Sequence, residues 1–337
     1  MGGRDMDRRD PGRLGARQRA ATASLAAIVV VWAGAAYAQQ PVTFRLGYGG
    51  AAEEPMWLLL AKPELARNYG KVYRLDPIRF TSSDKRAQAF EAGAIDLSVG
   101  GANGVIFAAA EGITGNLIAS ISRESTRGFS TTFYVKESSA IKSVPDLKGK
   151  IVGINGFSTS GHLWLKAALA KHGLADTDVT ITPVPFSAMQ EALNAGKIDL
   201  GMFPQPFAAL AEKQMKVRKI FDAKYGMPFD EELTVVVGKD AFLKSNVAAV
   251  RALLDDLKAA MQLYLDKPRE ARQLLIDARM VRVSADVYMT MHDYYRDPTL
   301  RVDADALERM QDFQIKAGFQ KKNANVRALV DLGYLPQ

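Results

Sequence analysis

Ala92-Gly93-Ala94-Ile95-Asp96-Leu97 and Ala195-Gly196-Lys197-Ile198-Asp199-Leu200 spell the same hexamer, AG-x-IDL. In each copy the glycine ends a helical stretch and the Ile-Asp-Leu run opens a strand. The residues upstream also correspond, Gln88-Ala89-Phe90-Glu91 before the first copy and Glu191-Ala192-Leu193-Asn194 before the second. A matched hexamer alone carries little weight. The same order of strand, loop, helix and strand around both copies marks a repeated unit.

Working outward from the first copy, residues 43–48 (TFRLGY) alternate and break at Gly49-Gly50, a strand ending in a glycine turn. Pro55 suits the start of a helix carrying Met56, Leu59 and Leu60. Ile78-Arg79-Phe80 is a short strand, and the polar turn through Ser82 and Ser83 caps a helix through Ala87 and Phe90. The strand after AG-x-IDL ends at Gly100-Gly101-Ala102-Asn103, ahead of a helix over Val105–Glu111.

The second copy has the same surroundings. Lys150–Gly156 reads as a strand and polar glycine loop, and Ser158-Thr159-Ser160-Gly161 caps a helix through His162, Trp164 and Leu169. Val184-Pro185-Phe186 then leads through Ser187 into a helix with Met189 and Leu193. Each unit therefore predicts an α/β lobe, a mostly parallel sheet with right-handed crossovers and flanking helices. Ligands of such sheets bind beyond the carboxyl ends of the strands, so two facing lobes place both loop sets on one cleft.

A chain of 337 residues suits two domains better than one. Residues 42–125 with 231–337 are expected to form lobe 1, and 126–230 lobe 2. The polar run Ser122–Arg127 is one hinge candidate and Met227–Glu232 the other. Leu233–Val237 should be the strand that returns to lobe 1, followed by helices bearing Leu253, Leu254, Leu257 and Met261.

Ahead of this, Arg8, Arg9, Arg13, Arg17 and Arg19 precede an apolar run from about Ala20 to Ala36, and Ala36-Tyr37-Ala38 is a small-x-small pattern. This predicts an export signal, residues 1–38, cleaved after Ala38, and a mature protein free in the periplasm. The absence of cysteine excludes disulfides, thiolate metal sites and thiol nucleophiles. The formal charge of +7 includes six basic and three acidic residues before Gln39, leaving +4 without a basic run. A nucleic-acid partner is therefore not expected.

Catalytic chemistry has few handles. Histidines occur only at 162, 172 and 292, with no HExxH, and neither a GxSxG elbow nor a GxxxxGK[ST] loop is present. No metal or cofactor is expected. Asp96 and Asp199, placed inside equivalent strands, read as structural carboxylates. Donor-rich loops remain. Ser158-Thr159-Ser160 at a helix start offers N–H groups, hydroxyls and a positive dipole end to an anion. Ser82-Ser83 and Gly101-Ala102-Asn103 offer the same from the other lobe, while Tyr48, Phe186 and Phe203 stand ready as apolar walls.

With these elements placed, the chain resembles the periplasmic binding proteins of ABC transporters for aliphatic sulfonates, taurine and nitrate, relatives of the pyrimidine-precursor binders. Val144-Pro145-Asp146-Leu147-Lys148-Gly149-Lys150 looks like the family's DLKGK lead-in to the second lobe, and AG-x-IDL matches both repeat strands. The likeness covers roughly residues 42–335. It implies the two-lobed type II periplasmic binding fold and a monomer that delivers a small organic anion, sulfonate or carboxylate, to an ABC permease.

By position, the family's pocket falls on Tyr48 and Gly49, Ser82 and Ser83, and Gly101, Ala102 and Asn103 of lobe 1. In lobe 2 it falls on Ser158, Thr159, Ser160, His162, Phe186, Phe203 and Gln205. Met202-Phe203-Pro204-Gln205-Pro206 is proline-rich where family members vary widely, which leaves the ligand class open. The resemblance also admits a binder of neutral pyrimidine precursors, or an enzyme of the same fold acting on a pyrimidine or small acid. The pyrimidine synthases depend on a cysteine-rich iron site, which this chain cannot build.

Overall fold

In the computed structural model, which describes residues 40–113 and 115–336, ten strands form two five-stranded sheets. The first contains β1 (Val42–Tyr48), β2 (Tyr73–Arg79), β3 (Leu97–Gly101), β4 (Asn116–Glu124) and β10 (Glu231–Gly238), in the order β2-β1-β3-β10-β4. The second contains β5 (Thr132–Lys136), β6 (Ile151–Ile154), β7 (Thr180–Pro183), β8 (Leu200–Phe203) and β9 (Val217–Asp222), in the order β7-β6-β8-β5-β9. The expected leader and its cleavage after Ala38 lie outside the described residues.

The two orders are the same pattern. In the first sheet β1 pairs in parallel with β2 and β3, and in the second β6 pairs in parallel with β7 and β8. Each sheet then receives one antiparallel strand from across the chain, β10 between β3 and β4 and β5 between β8 and β9. The sheets are thus mostly parallel, with the exception at the strands that cross over. The first crossing, 125–131, begins three residues later than the run expected as a hinge, because Ser122, Arg123 and Glu124 are buried rungs of β4. Glu231 and Glu232 likewise belong to β10, and Glu231 stands directly opposite Glu124.

The repeated hexamer explains this correspondence. Helices α1 (Glu54–Ala61), α2 (Ser83–Glu91) and α3 (Ala102–Ala110) belong to the first unit, and α4 (Ser160–Ala170), α5 (Phe186–Asn194) and α6 (Phe207–Gln214) to the second. α2 and α5 both end in a Schellman turn. Gly93 and Gly196 take left-handed φ of 75° and 71°, and the Ala94 and Lys197 N–H groups donate to the carbonyls of Ala89 and Ala192, both at 2.9 Å. Ile95 and Ile198 then enter the core.

Asp96 and Asp199 sit one residue before their strands rather than inside them. Their carboxylates accept the backbone N–H of Arg45 and Ile151, at 3.0 and 2.8 Å, while their own N–H groups donate to the same two residues. Each aspartate therefore pins β3 or β8 to the neighbouring first strand. Neither lines the cavity described below.

After the short α7 (Ala223–Gly226) and β10, the chain ends in α8 (Asp240–Ser245), α9 (Val247–Asp266), α10 (Pro268–Asp277), α11 (Ala285–Thr290) and α12 (Ala304–Lys316). Leu253, Leu254, Leu257 and Met261 of α9 share one core with Phe44 and Leu46 of β1 and with Met56 and Leu58 of α1. Full burial of such side chains is worth about 1.5–3 kcal/mol each, enough to anchor this long return to the first sheet. α1 is buried on all sides, as its run of Met56-Trp57-Leu58-Leu59 requires.

Candidate functional site

A cavity of about 510 Å³ opens where β1, β2 and β3 of one sheet and β6 and β8 of the other end. Gly49, Phe80 and Gly101 line it from the first sheet, Asn155 and Pro204 from the second. This is the carboxyl-end position that parallel strands and their following helices leave open. The two walls already touch. Asn155 Nδ2 donates to Ser83 Oγ at 3.3 Å, and Asn103 Nδ2 donates to Ser160 Oγ at 3.1 Å.

Among the described residues the cavity is lined by one cation, Arg86, and four carboxylates, Glu53, Asp84, Glu91 and Glu111. Glu53 and Arg86 pair at 2.9 Å and are 1% and 5% exposed. The Gly49 N–H donates to the other oxygen of Glu53 at 2.7 Å. A side chain at Gly49 would stand 2.6 Å from Arg86 Nη1 and 2.8 Å from Glu53 Oε1, so only glycine lets the pair lie against this turn. Burial pushes the Glu53 carboxyl above its ordinary range, with Arg86 and the Gly49 N–H opposing it.

Arg86 has five N–H donors and spends Nη1 on Glu53. Its Nε and Nη2 make no hydrogen bond among the described residues, and they lie 3.8 and 3.7 Å from where a Gly100 side chain would begin. The residue lines the cavity. A guanidinium edge of this kind presents two parallel donors to a carboxylate or sulfonate.

The start of α4 supplies further donors. Thr159 is its N-cap, accepting the His162 N–H, and no acidic residue occupies its first turn. Ser158 takes a left-handed φ of 55° in the turn just before. Ser158, Thr159, Ser160 and Gly161 all line the cavity, so the helix's free N–H end opens onto it. The start of α2 differs. Asp84 sits in its first turn and accepts the Ser82 hydroxyl, so that helix end already carries its own carboxylate.

Of the residues expected in the pocket, Gly49, Ser82, Ser83, Gly101, Ser158, Thr159, Ser160 and Phe186 line the cavity. Tyr48, Ala102, Asn103, His162, Phe203 and Gln205 do not. Ala102 and Asn103 are the first turn of α3 rather than a loop, and buried Asn103 bonds Ser160, Glu231 and Gln314. His162 is held beside the cavity wall rather than on it, with Nδ1 accepting the Ser158 N–H, its ring edge-on to Phe157 and Phe319, and Nε2 3.7 Å from Asp176. Phe203 is fully buried beside Tyr134, Gln205 caps the Ala209 N–H, and Tyr48 packs on the α9 core.

Several lining residues were missed: Glu53, Arg86, Asn155, Trp164 and Tyr294. Arg86 had a signal. It stands four residues before Phe90, and these two are the buried residues of α2, so helical spacing alone puts a cation on the inner face. Tyr294 had none, since it arrives from a segment remote in sequence.

Behind the cavity the crossing strands hold buried carboxylates. Glu231 accepts the Trp164 indole N–H, Lys224 Nζ at 3.0 Å and Asn103 Nδ2. Glu124 accepts the N–H and hydroxyl of Thr131, whose oxygen lies 2.9 Å from the Tyr294 hydroxyl. Burial pushes Glu124 up to about 7 and raises Glu231 as well, with Lys224 opposing both. Trp164, Thr131 and Tyr294 all line the cavity, so its contents bear on the crossing point. Among the described residues no cluster of His, Asp and Glu is placed to hold a metal ion.

A family model described as NMT1/THI5 like matches residues 78–271. A protein of Escherichia coli (strain K12), provisionally named as aliphatic sulfonates-binding, is 26% identical over 261 residues, 77% of each chain. A protein of Haemophilus influenzae, provisionally named for thiamine biosynthesis, is 25% identical over 197 residues, covering 56% of this chain and 60% of its own. The alkanesulfonate-binding protein of Xanthomonas axonopodis pv. citri, solved bound to MOPS, superposes with a TM-score of 0.70 at 19% identity. The match covers 87% of this chain and 99% of that one.

Proposed function

This chain belongs to the NMT1/THI5-like family, and we propose that it is the solute-binding component of an ABC importer that captures a small organic anion in the cavity. The observation that carries the anion is Arg86, buried, held by Glu53 and turned to the cavity with its Nε and Nη2 edge unpaired among the described residues. A carboxylate or sulfonate at that edge would also meet the free N–H groups that begin α4. The binding role draws on the likeness to the Escherichia coli aliphatic sulfonates-binding relative.

In this reading residues 42–125 with 231–337 and residues 126–230 are two lobes that close on the solute about the crossings at 125–131 and 223–230. The bound solute adds contacts to both walls and so favours the closed arrangement. The periplasm is its compartment, reached by cleavage after Ala38, and a permease in the inner membrane is its partner. The protein is not an enzyme in this reading. Calorimetric titration against sulfonates, carboxylates and nitrate tests the anion, and binding of neutral solutes alone would reject it.

A second reading, a neutral pyrimidine precursor as solute, is favoured by one feature. Asp84 and Glu53 put carboxylates among the cavity's aromatic rings Phe80, Phe186 and Tyr294, a setting for an amino-substituted heteroaromatic. The likeness to the Haemophilus influenzae relative points the same way. The same titration with an aminopyrimidine separates the two.

A further inference from the structure

A relay of hydrogen bonds runs from a buried carboxyl at the first crossing to the cavity wall. Glu124, at the end of β4, is 0% exposed, and its oxygens accept the Thr131 N–H at 3.1 and 3.2 Å and the Thr131 hydroxyl. The Thr131 oxygen lies 2.9 Å from the Tyr294 hydroxyl, and that hydroxyl accepts the Gln205 N–H at 3.2 Å. Thr131 and Tyr294 line the cavity, as does Pro204 beside Gln205. The relay thus joins the crossing, the segment between α11 and α12, and the loop after β8 at one wall.

Each hydroxyl carries one proton, so counting donors fixes the direction of the relay. An ionised Glu124 only accepts. It takes the Thr131 proton, the Thr131 oxygen accepts from Tyr294, and the Tyr294 proton is spent inside the wall. A protonated Glu124 donates instead, and the Thr131 oxygen is the acceptor it meets among its described hydrogen-bond partners. Thr131 then donates to Tyr294, which already accepts the Gln205 N–H, and the Tyr294 proton is left for the cavity.

The surroundings of Glu124 allow both forms. Lys224 of α7 bonds Glu231 at 3.0 Å, and Glu231 stands opposite Glu124 on β10. Arg123, next on β4, pairs with Glu232 at 2.9 Å, and Arg127 pairs with Asp230 at 3.0 Å along the crossings. Asp293, beside Tyr294, is held by Arg272 and Arg296, both at 3.2 Å. Glu124 is left with no cation bonded to it among the described residues. Burial pushes it up to about 7, with Lys224 and the Thr131 hydroxyl opposing and Glu231 adding to the rise.

We propose that Tyr294 is a solute-contacting donor and Glu124 its positioning residue, protonation of Glu124 turning the Tyr294 hydroxyl from Thr131 to an oxygen of the solute. Capture then takes up a proton from solvent, and a solute with an acceptor at this wall binds more tightly as pH falls through the Glu124 value. That the solute is an anion rests on the function proposed above; the relay does not.

Calorimetric titration with butane-1-sulfonate, a probe ionised throughout, at pH 6, 7 and 8 tests this. The sulfonate is expected to bind about five- to tenfold more weakly at pH 8 than at pH 6, through one hydrogen bond to an anion governed by a group that titrates near neutrality. Glu124→Gln, whose amide can donate to Thr131 at every pH, should bind at pH 8 as the unsubstituted protein does at pH 6. Tyr294→Phe should bind weakly at all three. Affinity that does not change with pH in the unsubstituted protein overturns the proposal, and so does a pH dependence that survives in either variant. Glu124→Gln decides the matter even if Tyr294→Phe fails to fold. In the solute-free protein the Glu124 carboxyl carbon, followed by NMR and assigned by its loss in Glu124→Gln, should titrate at higher pH in Tyr294→Phe, because the phenol no longer supports the ionised form. An unmoved midpoint overturns the relay whether or not the sulfonate binds. Absence of sulfonate binding at every pH rejects the anionic solute instead, and the midpoint then decides the relay.

Discussion

Replacing Glu124 by glutamine should change how stability depends on pH, by an amount that can be worked out. Glu124 is fully buried at the first crossing, faces Glu231 across the strand pair, and is pushed by burial up to about 7. An unfolded glutamate titrates near 4.3. Between the two values the folded protein holds a proton that the unfolded chain has released, so stability falls as pH rises and levels off above the folded value. From pH 5 to pH 8 this one group should lower the unfolding free energy by about 2 to 3 kcal/mol. Glutamine has no such titration.

Urea unfolding of both proteins at pH 5, 6, 7 and 8 measures the difference, with linear extrapolation at each pH. The stability of Glu124→Gln relative to the unsubstituted protein should rise by about 2 to 3 kcal/mol across that range, whatever its offset at pH 5. Glu54, also pushed up to about 7 by burial, acts in the same direction in both proteins and cancels in the comparison. Parallel pH profiles would refute the claim that the crossing point holds a high-pKa carboxyl.

Three further outcomes follow from particular contacts. Gly49→Ala forces the Glu53–Arg86 pair off the turn and should cost about 1–3 kcal/mol in thermal or urea unfolding, with weaker solute binding in titration. Gly93→Ala and Gly196→Ala should each cost about 1 kcal/mol through left-handed φ, because no steric clash awaits a side chain at either site. Standing at the ends of helices in different repeat units, the two should add to within about 0.5 kcal/mol in the double variant; a large coupling would contradict their independence. The Trp164 indole lines the cavity and bonds Glu231, so saturating solute should shift tryptophan emission, and the shift should vanish in Trp164→Phe but persist in Trp57→Phe.

The repeat made the fold legible. AG-x-IDL encodes a left-handed glycine that ends a helix, a core isoleucine and an aspartate that pins a strand to its neighbour, three local requirements met twice. Two copies with the same surroundings were enough to give two sheets of one topology. The antiparallel strands β5 and β10 were harder to read, because their partners β8 and β3 are far away in sequence and strand direction leaves no mark on composition.

The site was legible where it is built from backbone. Glycine and serine turns at strand ends, Gly49, Ser82 and Ser158 among them, do line the cavity. The side chains that set its charge were less so. Glu53 and Arg86 belong to different helical turns whose meeting depends on how α2 lies across β1, and Tyr294 comes from beyond α11. His162 shows the opposite failure. A histidine at a helix start looks like a ligand group, but its ring is engaged by Phe157, Phe319 and the Ser158 N–H and does not line the cavity.

The most direct measurement is a crystal structure of the protein with its solute, obtained by soaking or by retaining the molecule through purification. An anionic group within about 2.7–3.1 Å of Arg86 Nε or Nη2 is the expected result. A solute lodged elsewhere, or one whose contacts leave the Arg86 edge unpaired, would contradict the assignment of this cavity as an anion-binding site.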